Sequence, residues 1–227
     1  MIHEGKGWRV YDAGTGSKQI AAAGAVCYAL KQNGNVWRRS GSTGGWEKID
    51  QGTGAKQLVA GPSGLWVLKD NGNVWEYTAG TGWTKIDSGT GTKQMATDRL
   101  GHLYVLKNNG NVWKYEAGWI KIDEGTGAKQ LSAAAGDVYV LKSTGKVWRY
   151  HDKGWSPIAT DLHARNLYAT ATSLVIDTDN GEVWRWTPPK GAHKLLEREP
   201  LLEVAVSQGT IFILRSDNTI RTMPEPR

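Results

Sequence analysis

A single cysteine, Cys27, stands in 227 residues. That excludes an intramolecular disulfide framework and a multi-cysteine metal site. No run approaches the roughly 18 consecutive apolar residues of a membrane span. The start, MIHEGKGW, shows no charged-then-apolar leader. The chain therefore reads as soluble, without membrane insertion, and cytoplasmic or released without a signal peptide. Charge of one sign is never concentrated. Lys plus Arg number 28 and Asp plus Glu 22, spread along the whole chain. The net charge of +6 permits weak attraction to acidic surfaces, but no basic arm marks a specific nucleic-acid site. Helical periodicity is missing too: no window places apolar residues at helical spacing over three turns.

What is abundant is glycine, at 29, and tryptophan, at 12, against one phenylalanine. Such a bias asks for a repeat, and the repeat is plain. Gly-Thr-Gly-x-Lys-Gln recurs with its lysine at Lys18, Lys56, Lys93 and Lys129. Asn-Gly-Asn-Val-Trp or a variant ends at Trp37, Trp75, Trp113, Trp148 and Trp184. An aromatic after glycine falls at Trp8, Trp46, Trp83, Trp119 and Trp155. Two faded copies follow, with Arg165-Asn166-Leu167 and Leu202-Glu203-Val204 in the Lys-Gln-Leu place. Six repeats of about 37 residues consume the chain as one domain, a period that marks a solenoid or propeller.

Each repeat carries four strand signals. In the second, Gln57–Ala60 and Leu65–Leu68 are apolar runs, Asp70-Asn71-Gly72-Asn73 reads as a type I′ hairpin, and Val74–Tyr77 and Trp83–Ile86 follow. The fold class expected is all-β: a six-bladed β-propeller of four-stranded antiparallel blades. Residues 7–12 are expected to complete the last blade, which holds 211–223, so that no edge is left open. Small residues such as Ala21, Ala60, Ala96, Ala133 and Ala169 suit crowded first strands.

Alternation sorts the side chains. On third strands Trp75 and Tyr77 share one face, as do Trp113 with Tyr115 and Trp148 with Tyr150. Packing on the neighbouring blade is the expected role of these, and of Trp37; they are the second-choice sugar site. Tyr28, Trp66, Tyr104 and Tyr139, on second strands, are expected in the core. On fourth strands, Trp46-Lys48-Asp50, Trp83-Lys85-Asp87 and Trp119-Lys121-Asp123 put a ring, an ammonium and a carboxylate on one face. That is the equipment of a sugar site: the ring stacks on the apolar face of a pyranose and the charged groups hold hydroxyls. The competing reading is a solvated blade edge. Trp8, Asp12 and Trp155 extend the set; the copy at Trp155 loses both charges, and the fifth has Ala192 in place of the tryptophan.

The Asp-x-Gly-Thr-Gly connection and the Lys-x-Asn-Gly-Asn hairpin are expected on one side of the disc. Gly and Asn there answer turn requirements; Lys31, Lys69, Lys107 and Lys142 do not. Catalysis has no support. His3, His102, His151, His163 and His193 fall in different places of the repeat, and no nucleophile elbow or zinc spacing occurs. One carboxylate per glycine loop is too few for calcium. Cys27 reads as a small buried apolar residue. No metal, no cofactor and no enzyme activity are expected.

A repeat reading Trp-x-x-Ile, Lys-Gln-Leu, Gly-x-Leu-Trp-Val-Leu and Asn-Gly-x-Val-Trp-x-Tyr resembles the tectonin repeat, strongly through residue 150 and weakly after it. That family comprises β-propeller lectins, with tachylectins as more distant relatives, and some adaptor proteins. The resemblance implies a non-catalytic, multivalent glycan binder with a role in defence, whose partners are glycans or glycoconjugates. The Gly-Thr-Gly loop before Lys-Gln departs from the usual tectonin unit. Two other readings stand beside it: a protein-interaction scaffold, and a binder of acidic polymers driven by the +6 charge. Four near-identical copies favour a multivalent lectin, since repeated weak sites gain by avidity.

Overall fold

Each repeat folds, in the computed structural model, into one antiparallel sheet with its strands in chain order. The structure describes residues 16–41, 44–50, 52, 54–89, 91–125, 127–134, 136–170, 172–196, 201–207, 210–215 and 220–224, with side chains as far as residue 195. The first sheet holds β1 (Ser17–Ala23), β2 (Val26–Lys31), β3 (Val36–Ser40) and β4 (Glu47–Asp50). The second holds β5 (Ala55–Gly61), β6 (Gly64–Lys69), β7 (Val74–Thr78) and β8 (Gly82–Asp87). The third holds β9 (Thr92–Thr97), β10 (Leu103–Lys107), β11 (Val112–Tyr115) and β12 (Trp119–Asp123). The fourth holds β13 (Ala128–Ala134), β14 (Asp137–Lys142), β15 (Val147–His151) and β16 (Gly154–Ala159). The fifth holds β17 (Ala164–Ala169), β18 (Leu174–Thr178), β19 (Val183–Thr187) and β20 (Gly191–Leu196). A sixth sheet has three strands, β21 (Leu201–Ser207), β22 (Thr210–Arg215) and β23 (Ile220–Pro224).

Six four-stranded blades were expected; the described residues hold five four-stranded sheets and this three-stranded one. The strand expected from residues 7–12, with Trp8 and Asp12, lies outside the described residues. Two compact units divide the chain: Met1–Ser88 carries the first two sheets and Gly89–Arg227 the others. Among the described residues no helix is long and apolar enough to cross a membrane.

Within each unit the core lies between neighbouring sheets. Tyr28, Leu30 and Val36 of the first sheet meet Leu58, Leu65 and Val67 of the second. Tyr104, Leu106 and Val112 of the third meet Leu131, Val138 and Val140 of the fourth. The other face of the fourth, Tyr139 and Leu141, meets Leu167, Leu174 and Ile176 of the fifth. A sheet covered on both faces explains the unbroken apolar runs of the second strands. Tyr28, Trp66, Tyr104 and Tyr139 are buried as expected, while Cys27 is only half-buried.

Glutamine of the Lys-Gln pair joins the sheets. The Gln130 side chain donates to the carbonyl of Leu167 at 3.0 Å and accepts from its N–H at 2.9 Å. Gln19 clasps Leu58 in the same way, at 2.9 and 2.7 Å. Each clasp adds two rungs between first strands that have no ladder of their own. In the fifth repeat the shorter Asn166 turns instead to Asp177 of its own sheet, at 3.1 Å.

Two irregularities recur. The first strands pair with a slip at the lysine: Ala55 faces Lys69 and Gln57 faces Leu68, which leaves Lys56 as the extra residue. Lys18, Lys93, Lys129 and Arg165 occupy the same bulge. The fourth strands slip at the isoleucine: Trp75 faces Lys85 and Val74 faces Asp87, with Ile86 between. The hairpins also differ from expectation. Lys69 and Gly72 close a turn at 2.9 Å, Lys69 donates back to Asn73 at 2.9 Å, and only Gly72 takes a positive φ, +83°. This is a type I turn with a glycine bulge, in place of the two-residue type I′ turn. Asn71 Oδ1 accepts from the Asn73 N–H at 3.0 Å and holds it.

Candidate functional site

The glycine loop and the hairpin emerge together, as expected, because the backbone ties them. Asp70 N–H donates to Gly54 O at 2.7 Å, and Gln32 to Gly16, Asn108 to Gly91 and Ser143 to Gly127 repeat the bond at 2.7 Å. Asp50 seals the first such junction. Its Oδ1 accepts the Gly52 N–H at 2.6 Å and its Oδ2 pairs with Lys69. Asp123 does the same with Gly125 and Lys142, both at 2.7 Å. Lys69 and Lys142, unexplained by turn chemistry, thus lock the loop of one sheet to the hairpin of the next. Replacing Asp50 by Asn should loosen this junction by about 1–3 kcal/mol, the range for a mostly buried charged hydrogen bond losing its partner. Amide exchange at Gly52 and Asp70 should accelerate, and unchanged protection would remove Asp50 from that role.

Beside the seal lies a cleft of about 540 Å³ between the first and second sheets, lined by Asp50, Gly52, Gly54, Lys69, Asp70, Asn71, Asn73, Trp75 and Trp83. Asp70 and Asn71 stand exposed at its edge. A shallower cavity holds Gly16, Gln32, Asn33, Asn35 and Trp37.

This geometry regroups the residues proposed from sequence. Tyr77 faces Trp83 and Trp75 faces Lys85 across β7 and β8, so the first- and second-choice sets share one face of the sheet. The aspartate leaves that face. The isoleucine bulge interrupts alternation, and Asp50 lines the cleft with Trp75 and Trp83 of the next sheet, not with Trp46 and Lys48 of its own strand. Trp, Lys and Asp on one face of one strand was the expectation; the bulge divides them between two neighbours.

The tryptophans of fourth strands are not free platforms. Trp83 is half-buried, packs on Tyr77 at 5.1 Å and donates its indole N–H to Ile49 O at 2.7 Å. Trp155 packs on Tyr150 at 5.1 Å and donates to Ile122 O at 2.6 Å. The bulge leaves those isoleucine carbonyls outside the ladder, and the indoles satisfy them. Trp119 lies 5.0 Å from Tyr115, with Lys107 5.9 Å from its ring, and Trp46 is half-buried. On third strands the rings are capped by lysines: Lys48 over Trp37 and Lys85 over Trp75 at 5.9 Å, Lys121 over Trp113 at 5.7 Å. Opposite Trp148 the lysine is replaced by Pro157, and Ala192 stands opposite Trp186 as Trp83 stands opposite Tyr77. Asp87 ends β8.

Two polar clusters had no sequence signal, because their members come from different places of the repeat. Buried Asp98 accepts from Tyr104 at 3.0 Å and faces His102 Nδ1 at 2.9 Å, while His102 Nε2 lies 3.3 Å from Glu116. Asp137 holds Arg149 at 2.9 Å and His151 at 2.6 Å. Burial, and next the neighbouring Asp98 or Asp137 charge, pushes the Tyr104 and Tyr139 hydroxyls well above the ordinary phenol range. Among the described residues no group of three or more His, Cys, Asp or Glu is placed to hold a metal.

A fold of radially repeated four-stranded sheets, joined by first-strand clasps, is that of the β-propellers. Solved structures agree. Yeast Prp20p, described with its binding to Gsp1p and histones, superposes with a TM-score of 0.71 at 13% identity, covering 91% of this chain and 71% of its own. Human WBSCR16 gives 0.70 at 12%, covering 83% and 69%. YCF48 bound to a D1 peptide gives 0.64 at 11%, covering 89% and 75%. No protein-family model and no curated protein matches the sequence. Of the tectonin resemblance, these likenesses support the β-propeller fold.

Proposed function

We propose that this chain is a non-catalytic protein-interaction propeller, whose cleft beside Trp75 receives a side chain or short segment of a partner. The observation that carries this reading is the cleft itself: an indole, the exposed carboxylate of Asp70 and the amides of Asn71 and Asn73 surround about 540 Å³ of open space on a frame held by Asp50 and Lys69. Protein partners are also what Prp20p and YCF48 are described with. A second reading, glycan binding as in tectonin lectins, is favoured by the same indole set among amide and carboxylate groups, the chemistry that grips pyranose rings. Peptide and glycan arrays probed in parallel with the wild type and Trp75→Ala decide between them. Peptide hits lost in Trp75→Ala support the first reading and glycan hits lost in the variant support the second. Hits of either kind that survive the substitution would place recognition outside the cleft.

A further inference from the structure

The lysine after each Gly-Thr-Gly loop does nothing to hold its own sheet together. It is the extra residue of a bulge, so it has no partner across the sheet. Its neighbours on both sides are occupied: the preceding residue is buried at Ala55, Thr92 and Ala128, and the following glutamine clasps the next sheet at Gln19 and Gln130. Lys18, Lys56, Lys93 and Lys129 are all exposed, and none forms an ion pair with a described carboxylate. Other described strand cations are engaged within the fold. Lys69, Lys142 and Lys194 pair with Asp or Glu, and Lys48 and Lys85 cap indoles. In the fifth repeat the cation at the bulge, Arg165, is withdrawn onto Asp177 at 2.9 Å, and in the sixth the place holds Leu202.

Bulges turn a side chain out of the ladder and often serve recognition. Here they turn like charges toward one another. The Lys93 ammonium donates to the carbonyl of Lys129 at 3.1 Å, so the bulges of neighbouring sheets lie within the reach of one side chain. Side-by-side cations without counter-charges repel. An anion laid across them removes that repulsion.

We propose that the bulge lysines, Lys18 with Lys56 and Lys93 with Lys129, are a docking surface for an acidic polypeptide segment, its Asp or Glu side chains each meeting one lysine. The proposal rests on the protein-interaction reading and adds the partner's chemistry and a second contact surface, distinct from the cleft. Polypeptide is favoured over single-stranded nucleic acid because the residues flanking each bulge lysine are Ser17, Ala55, Thr92, Ala128 and the glutamines. None offers the aromatic face on which bases stack.

The test uses the full chain and a fluorescent Glu-rich decapeptide, read by anisotropy at low and moderate salt. The wild type should bind, more weakly as salt rises. Replacing Lys18, Lys56, Lys93 and Lys129 by Gln should weaken binding about tenfold or more, the product of four modest charge contacts. A control with Arg99, Lys114, Lys153 and Lys190 changed to Gln loses the same net charge and should bind as the wild type does. Since the bulge lysines are exposed, melting should not move; the pairs Lys18/Lys56 and Lys93/Lys129, changed separately, serve if the quadruple variant does not fold. Equal weakening by the control set, or no weakening by the bulge set, overturns the proposal. So does a single-stranded oligonucleotide of equal charge that binds more tightly through the same lysines. Because the cleft is untouched, peptide-array hits that depend on Trp75 should persist in the bulge variant. Their loss in Trp75→Ala alone keeps the interaction reading whatever the fate of the acidic surface.

Discussion

Trp83→Ala should destabilise the protein by about 3 kcal/mol, the lower end for a tryptophan truncated in a core, because its ring is half-buried between two sheets. The change removes the packing on Tyr77 and leaves the Ile49 carbonyl without its indole donor. At this chain length that is a fall in melting temperature of about 6–12 °C. Trp75→Ala, although it deletes the same side chain, should melt within a few degrees of the wild type. Its ring lines the cleft under Lys85 and is not part of the cluster joining the two sheets. The pair of variants therefore separates packing from recognition. A Trp75→Ala protein that melts as low as Trp83→Ala would show that both rows carry the sheet interface, and the cleft reading would fail with it.

The second large effect belongs to the glutamine clasp. Gln130→Ala strips both partners from the peptide groups of Leu167, a residue 2% exposed. With water excluded, two orphaned backbone groups cost about 2–5 kcal/mol together. Gln130→Glu is the discriminating companion. A carboxylate still accepts from the Leu167 N–H but has nothing to donate to the carbonyl, so its stability should fall between those of the wild type and the alanine variant. Denaturant midpoints rank the three, and exchange at the Leu167 amide should quicken most in the alanine protein. If Glu and Ala were equally damaging, the accepted hydrogen bond would contribute nothing and the clasp would be one rung, not two.

Repeat period, strand order and the buried second strands were legible in the residues because each depends on local signals. Glycine and asparagine mark turns, and the run Leu65-Trp66-Val67-Leu68 can satisfy itself only when covered on both faces. The hairpin was misjudged by one residue. Asn71-Gly72 satisfies the two-residue turn motif, yet the chain closes over Asp70, Asn71 and Gly72, with positive φ at the glycine alone. The division of the site residues was misjudged for a related reason. Strict alternation put Trp83, Lys85 and Asp87 on one face, and a single extra residue, Ile86, breaks the count. No local signal announces such a bulge, since the isoleucine is as good a strand residue in register as out of it.

The sequence by itself determined that the chain is built from one four-stranded motif used again and again, with loops of glycine and asparagine at one end and aromatic strands behind them. Those features follow from backbone conformational preference and from the need to hide apolar runs, both encoded within a few residues. Only the tertiary structure decided which side chains meet. Asp50 and Trp75 are separated by a whole repeat element and belong to different sheets, and the Gln130 clasp reaches 37 residues ahead. Such meetings depend on how one sheet lies against the next and on where each strand slips its register, quantities set by packing and bulge geometry across the interface and carried by no single repeat.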